Sequence, residues 1–297
     1  MSVERAMACG RGSFYLKDTT VRKAYFCSMA LKKKKVTIKK KAARPVILVT
    51  NDDGITAPGI RSLVESMKEL GEVVVVAPDS PQSGMGHAIT IGKPLRLDKV
   101  EVHGEFLGYQ CSGTPVDCVK LAVNKVLHRK PDLCVSGINH GSNSSINVIY
   151  SGTMSAAMEG AIEGIPSIGF SLNNYSMEAD FTAGIHYSRI ISRNILNNGM
   201  PPNTLLNVNL PDLPLKKIKG IKISRQALAK WEEEFDERID PRNRPYYWLT
   251  GVFKNYDKGD DTDEWALKNG YVSVVPVSFD FTAHHAFQHL NKIKWDV

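Results

Sequence analysis

From residue 45 onward, short unbroken apolar runs alternate with longer segments in which apolar residues recur every three or four positions. Residues 46–50, 73–77 and 132–136 are of the first kind, and each reads as a strand buried on both faces, as in a parallel sheet. Residues 58–70 are of the second kind: Ile60, Leu63, Val64 and Met67 share one helical face, and Gly71 stops the helix. Residues 114–127, 151–163 and 181–198 predict further helices, and 167–170 and 204–210 further strands. Residues 87–91 and 94–102 read as shorter strands in an antiparallel excursion. Strand, loop and helix in repetition predict right-handed βαβ crossovers and a three-layer α/β sandwich around a mostly parallel sheet.

The character changes after residue 222. Residues 230–264 are rich in charge and aromatics, including Tyr246, Tyr247 and Trp248 between prolines and glycines. Exposed aromatic hairpins of this kind find a partner surface, so residues 226–264 are read as a C-terminal β-hairpin, an oligomerisation arm. The competing reading folds the hairpin onto its own domain. Residues 270–277 form a clear strand, and 281–290 a short terminal segment. The expected organisation is a basic, disordered tail (1–44), a core (45–225), the arm (226–264), and a terminal strand with its tail (265–297).

Charge sharpens this division. The chain of 297 residues carries a formal +7, but residues 1–44 hold 13 Lys and Arg against 2 acids. The remainder has a net charge of −4. A mildly acidic body argues against a specific nucleic-acid partner, and the Lys32–Lys35 and Lys39–Lys41 runs read as part of a disordered, solvated tail. No apolar run approaches a membrane span. Five cysteines without Cys-x-x-Cys spacing fit a reducing, cytoplasmic setting, with most of them acting as small hydrophobes.

The candidate chemistry lies in the loops after the buried strands. Asn51-Asp52-Asp53-Gly54 follows the first, Ser80, Gln82 and Ser83 the second, and Asn139, His140 and Asn143 the third. In a parallel sheet these ends share one edge, where ligands bind. Two adjacent carboxylates repel unless a cation or a shared proton offsets them. Carboxylate, hydroxyl and amide oxygens are hard donors suited to Mg²⁺ or Mn²⁺. The plainer reading is that Asp52 caps the following helix while Asn51 and Gly54 make a turn. Ser151-Gly152-Thr153 opens a small-residue helix, where an N-cap and an anion site are compatible. Beside a metal loop, it suggests a phosphoryl group held between cation and helix N-terminus. There is no Walker Gly-x-x-x-x-Gly-Lys-Ser/Thr and no Gly-x-Ser-x-Gly elbow, which disfavours those two hydrolase classes. His87, His284 and His285 are read first as structural hydrogen-bonders, Asp280 and His284 as an ion pair, and Thr114-Pro115-x-Asp117 as a helix start.

Taken together, the motifs resemble those of the SurE family of survival-protein nucleotidases. They run in order from Val49-Thr50-Asn51-Asp52-Asp53-Gly54 through Ala77-Pro78-Asp79, Ser83-Gly84 and Gly86-His87 to Gly113-Thr114-Pro115-x-Asp117-Cys118. They continue through Val135-Ser136-Gly137-Ile138-Asn139-x-Gly141-x-Asn143, Ser151-Gly152-Thr153, Thr262-Asp263 and Gly270-Tyr271-Val272-Ser273. The resemblance implies a Rossmann-like core and a 5′(3′)-nucleotidase acting on nucleoside monophosphates, with polyphosphate hydrolysis as a side activity. It implies one Mg²⁺ or Mn²⁺ per subunit held by Asp52, Asp53, Ser83 and Asn139, with Asp52 and Asp53 catalytic. Asn51, Asn143, Ser151, Gly152 and Thr153 are the expected phosphate and substrate contacts. Homodimers or homotetramers through the C-terminal arm are implied as well. Ser144-Ser145-Ile146-Asn147 stands where many members carry a glycine. The alternative from another class is a non-catalytic nucleotide- or metal-binding regulator using the same pocket.

Overall fold

Apolar runs of four to six residues, too short for helices, give the strands on which the rest is hung. The computed structural model describes residues 44–102, 105–176 and 178–295; the basic tail, apart from Arg44, lies outside these. The chain forms β1 (Val46–Thr50), α1 (Pro58–Lys68), β2 (Glu72–Pro78), β3 (Leu97–Val102) and β4 (Glu105–Cys111). Next, α2 (Pro115–Leu121) runs on as a π-helical segment, Ala122–Leu127, before β5 (Leu133–His140). Then come α3 (Asn147–Tyr150), α4 (Gly152–Ile162), β6 (Ser167–Leu172), α5 (Thr182–Asn198) and β7 (Thr204–Leu210). The last part comprises β8 (Ile221–Ile223), β9 (Ala229–Ile239), β10 (Pro245–Asn255), α6 (Asp263–Lys268), β11 (Val272–Ser278) and α7 (Phe287–Leu290).

Nine strands make one sheet in the order β3-β4-β2-β1-β5-β6-β7-β11-β8. From β4 to β7 every pairing is parallel, whereas β3 and β11 pair antiparallel with β4 and β7. Helices cover both faces, which confirms the α/β sandwich. Successive residues of β1 point to opposite layers: Ile47 and Val49 pack with Ile60, Leu63 and Ile191, and Leu48 packs with Val119, Ala156 and Cys134. The hairpin β9–β10 stands as a separate two-stranded sheet with Pro245 opposite Ile239 and Asn255 opposite Ala229.

Three sequence expectations change. Residues 87–91 are not a strand, because their backbone groups are taken by side chains. The Thr90 N–H donates to Asp117 Oδ1 at 3.1 Å, and the Ala88 carbonyl accepts from Thr114 Oγ1 at 2.7 Å. The true antiparallel partner of β3 is β4, adjacent to it in sequence. Finally, β5 continues through Gly137–His140, a stretch the glycine and asparagine content had suggested as loop. Its register with β6 shifts between Ser136 and Asn139. A bulge of this kind re-aims the side chains beyond it. The helix start at Thr114 is a full capping box with Pro115 in the first turn. Cys111, Cys118 and Cys134 are buried free thiols, and burial pushes the Cys134 thiol up to about 12.

Candidate metal and phosphate site

The pairing register places Thr50 beside Ser136 and Val49 beside Val75. The loops that leave these strands therefore emerge at one edge of the sheet. After β1, Asn51 closes the turn by donating from Nδ2 to the Gly54 carbonyl at 2.9 Å, while its buried Oδ1 has no partner among the described residues. Gly54 sits at φ +97°, a conformation that side chains disfavour. Asp52 is buried and does not cap α1, whose N-cap is Ala57 with no side-chain bond. Instead its Oδ1 accepts from the Thr153 hydroxyl at the start of α4. Gly152 makes that approach feasible: a Cβ there would lie 2.7 Å from Asp52 Cβ and 2.9 Å from Oδ2. Burial pushes the Asp52 carboxyl up to about 6, against the Thr153 hydroxyl, which lowers it, and with the Asp53 charge, which raises it further.

Asp53 is the more exposed partner. The His140 N–H lies 3.4 Å and Nδ1 3.3 Å from its Oδ2. His140 packs edge-on against Phe181 at 5.1 Å, and its Nε2 is buried without a partner among the described residues. The β2 loop is drawn in by backbone bonds, Ile55 N to the Pro78 carbonyl at 2.9 Å and Gln82 N to the Asp52 carbonyl at 2.8 Å. Within this loop, Ser80 is turned to Asp79 by a 2.8 Å bond. Ser83, one residue beyond the Gln82 tether, is exposed and carries no side-chain bond among the described residues. Asn139 donates from Nδ2 to the Gly141 carbonyl at 2.8 Å and to the His140 carbonyl at 3.2 Å. Its amide is thereby held by the donor end, leaving Oδ1 as the free acceptor.

Two expected contacts have their polar groups engaged within the protein. Asn143 is buried in a structural network. Its N–H donates to Asn209 Oδ1, its Nδ2 to Ser171 Oγ, and its carbonyl accepts from Asn207 Nδ2, each at 2.8 Å. Ser151 uses its hydroxyl as the α4 N-cap, accepting from Met154 N at 3.0 Å. Glu159, two turns along α4, was legible only as a helix residue. It is buried between His87 Nε2 at 3.0 Å and Lys120 Nζ at 2.5 Å, which hold its carboxyl below the usual range against the cost of burial. His87 is thus a structural partner, as are Asp280 and His284, an exposed pair 2.9 Å apart. Among the described residues, no three His, Cys, Asp or Glu side chains cluster as a metal site, so any cation here relies on the mixed oxygen set. A cavity of 940 Å³ has Val46, Arg61 and Glu72 in its wall and none of the candidate residues. No helix among the described residues is long and apolar enough to cross a membrane.

Fold and site define an α/β protein whose carboxylate pair lies beyond the ends of parallel strands, under the N-terminus of a helix. The family model for survival protein SurE matches residues 47–233. The 5'-nucleotidase SurE of Flavobacterium psychrophilum is 64% identical over 256 residues, covering 86% of this chain and 99% of that protein. Its counterpart from Christiangramia forsetii is 65% identical over 250 residues, covering 84% and 96%. The crystal structure of the SurE protein from Aquifex aeolicus superposes with a TM-score of 0.74 at 42% identity, over 83% of this chain and 98% of that one. The chain belongs to the SurE family.

Proposed function

We propose that the protein is a metal-dependent 5′-nucleotidase that hydrolyses nucleoside 5′-monophosphates, and 3′-monophosphates, to nucleoside and phosphate. Short polyphosphate is a further substrate, and the working form is a cytoplasmic homodimer or homotetramer. The observation that carries this reading is Asp52, a buried carboxylate pressed against the first turn of α4 by Gly152 and Thr153, with Asp53 beside it. A phosphomonoesterase needs positive charge and a base at the same point, and relatives at over 60% identity are named 5'-nucleotidase SurE.

The donor chemistry suits a hard divalent ion, Mg²⁺ or Mn²⁺. Asp52 is raised in the absence of a counter-charge, and Asn139 keeps its amide oxygen free. Asp52, Asp53, Ser83 and Asn139 would hold it. When bound, the ion supplies Lewis-acid stabilisation to the phosphoryl oxygens. The remaining work falls to the chain. Thr153 fixes one oxygen of Asp52, leaving Oδ2 to take a proton from the attacking water. His140 orients Asp53 through Oδ2, and Asn51 braces the turn that presents both acids. The backbone of Gly152 lets the substrate phosphate approach the positive end of α4.

The test is phosphate release from AMP with Mn²⁺, comparing wild type with Asp52→Asn. A fall of at least a hundredfold in kcat/KM is expected for the variant, as is loss of wild-type activity with chelator. Equal rates in both proteins, unaffected by chelator, would overturn the reading.

A further inference from the structure

A second cavity, of 650 Å³, lies between the arm and the site edge and has no assigned role. Its wall includes Gly84, Asn147, Tyr150, Trp231, Glu233 and Leu249. Two of these join it to the candidate site along the chain. Gly84 follows Ser83, and Tyr150 precedes Ser151, the cap of the helix whose next two residues touch Asp52. The Gly86 N–H donates to the Tyr150 carbonyl at 3.2 Å, which ties these two sides together.

Trp231 is fixed from two directions. Its indole N–H donates to Asn147 Oδ1 at 2.8 Å, and its ring meets Phe253 edge-on at 5.4 Å. Yet it is 40% exposed, and Tyr150 is 53% exposed. An aromatic ring held in place but left open, as Trp231 is, is a surface for another flat ring. The lining contains no Lys or Arg and one carboxylate, Glu233, so a phosphate group finds no partner there. The volume lies within the ordinary range of small-molecule sites.

We infer that this cavity receives the nucleobase of the substrate, stacked on Trp231 and Tyr150, while the phosphate lies at Asp52 and Asp53. The inference rests on the nucleotidase reading above and deepens it. The arm then contributes to substrate choice.

The experiment compares kcat/KM for AMP and for ribose 5-phosphate, which keeps the sugar and phosphate but lacks the base. With Mn²⁺ present, wild type is expected to favour AMP. In Trp231→Leu and in Tyr150→Leu the AMP-to-ribose-5-phosphate ratio should fall about tenfold or more, through KM for AMP, the scale of one lost stack. Trp231→Phe, which keeps a ring, should retain most of the preference. The two positions lie on different elements, arm and core, so a folding defect in one leaves the other to decide. A ratio unchanged within about twofold in both Leu variants would overturn the slot. So would a wild type that hydrolyses both substrates without discrimination, and in that case the nucleotidase reading survives. Release of phosphate from neither substrate overturns both.

Discussion

At the scale of single residues, Asp52 sets two expectations. Its carboxyl is raised to about 6, against 3.8 for a free one, chiefly by burial. A raised acid penalises the folded state fully above its folded value and not at all below its unfolded one. The metal-free protein should therefore gain stability as pH falls from about 6 toward 4, by on the order of 3 kcal/mol from this group. Cation binding needs the carboxylate, so Mn²⁺ affinity should fall about tenfold per pH unit below 6. Urea denaturation of chelator-treated protein and calorimetric titration with Mn²⁺, each at pH 5 and 7, measure the two effects. Gly152→Ala is the steric counterpart. Its methyl group would sit 2.7 Å from Asp52 Cβ, so the carboxylate must move. Steady-state kinetics on AMP should show a fall of about tenfold or more in kcat/KM, as misplacement at a reacting centre produces.

At the scale of elements, the hairpin β9–β10 stands out, with strands of eleven residues paired to each other alone. An isolated two-stranded ribbon is marginal in water. On the face away from the cavity this one exposes Trp248 and Val252, which favours a second copy as its cover. Trp248→Glu combined with Val252→Glu should lower the mass seen by light scattering to that of a monomer. The hairpin was legible because charges and aromatics concentrate there among prolines and glycines. The parallel strands were legible for a related reason: burial on both faces removes polar residues, as in Val46–Thr50. Gly137–His140 was not, since its place in β5 comes from pairing with β6 and not from its own preferences. Residues 87–91 misled in the opposite sense: their alternation looked like a strand, but Thr114 and Asp117 claim their backbone. Among site residues, Asp52, Asp53 and Thr153 could be read from motif and position. The inward turn of Asn143 could not, because its partners Asn207 and Asn209 lie more than sixty residues away.

At the scale of the whole molecule, the basic tail and the acidic body divide where the family match begins, near residue 47. Removing residues 1–43 should leave kcat/KM for AMP within about twofold of the full chain, measured side by side in one buffer, because the family match begins only at residue 47. The candidate site is scattered along the chain: Asp52, Asp53, Gln82, His140 and Thr153 are joined only at the sheet edge, by bonds between loops. No stretch shorter than these hundred or so positions contains it, and three strands must be in register before it exists. Contacts of such long sequence separation close late in folding. Activity would therefore report on completed folding: on refolding, phosphate release should recover only after the crossovers that join these loops have closed.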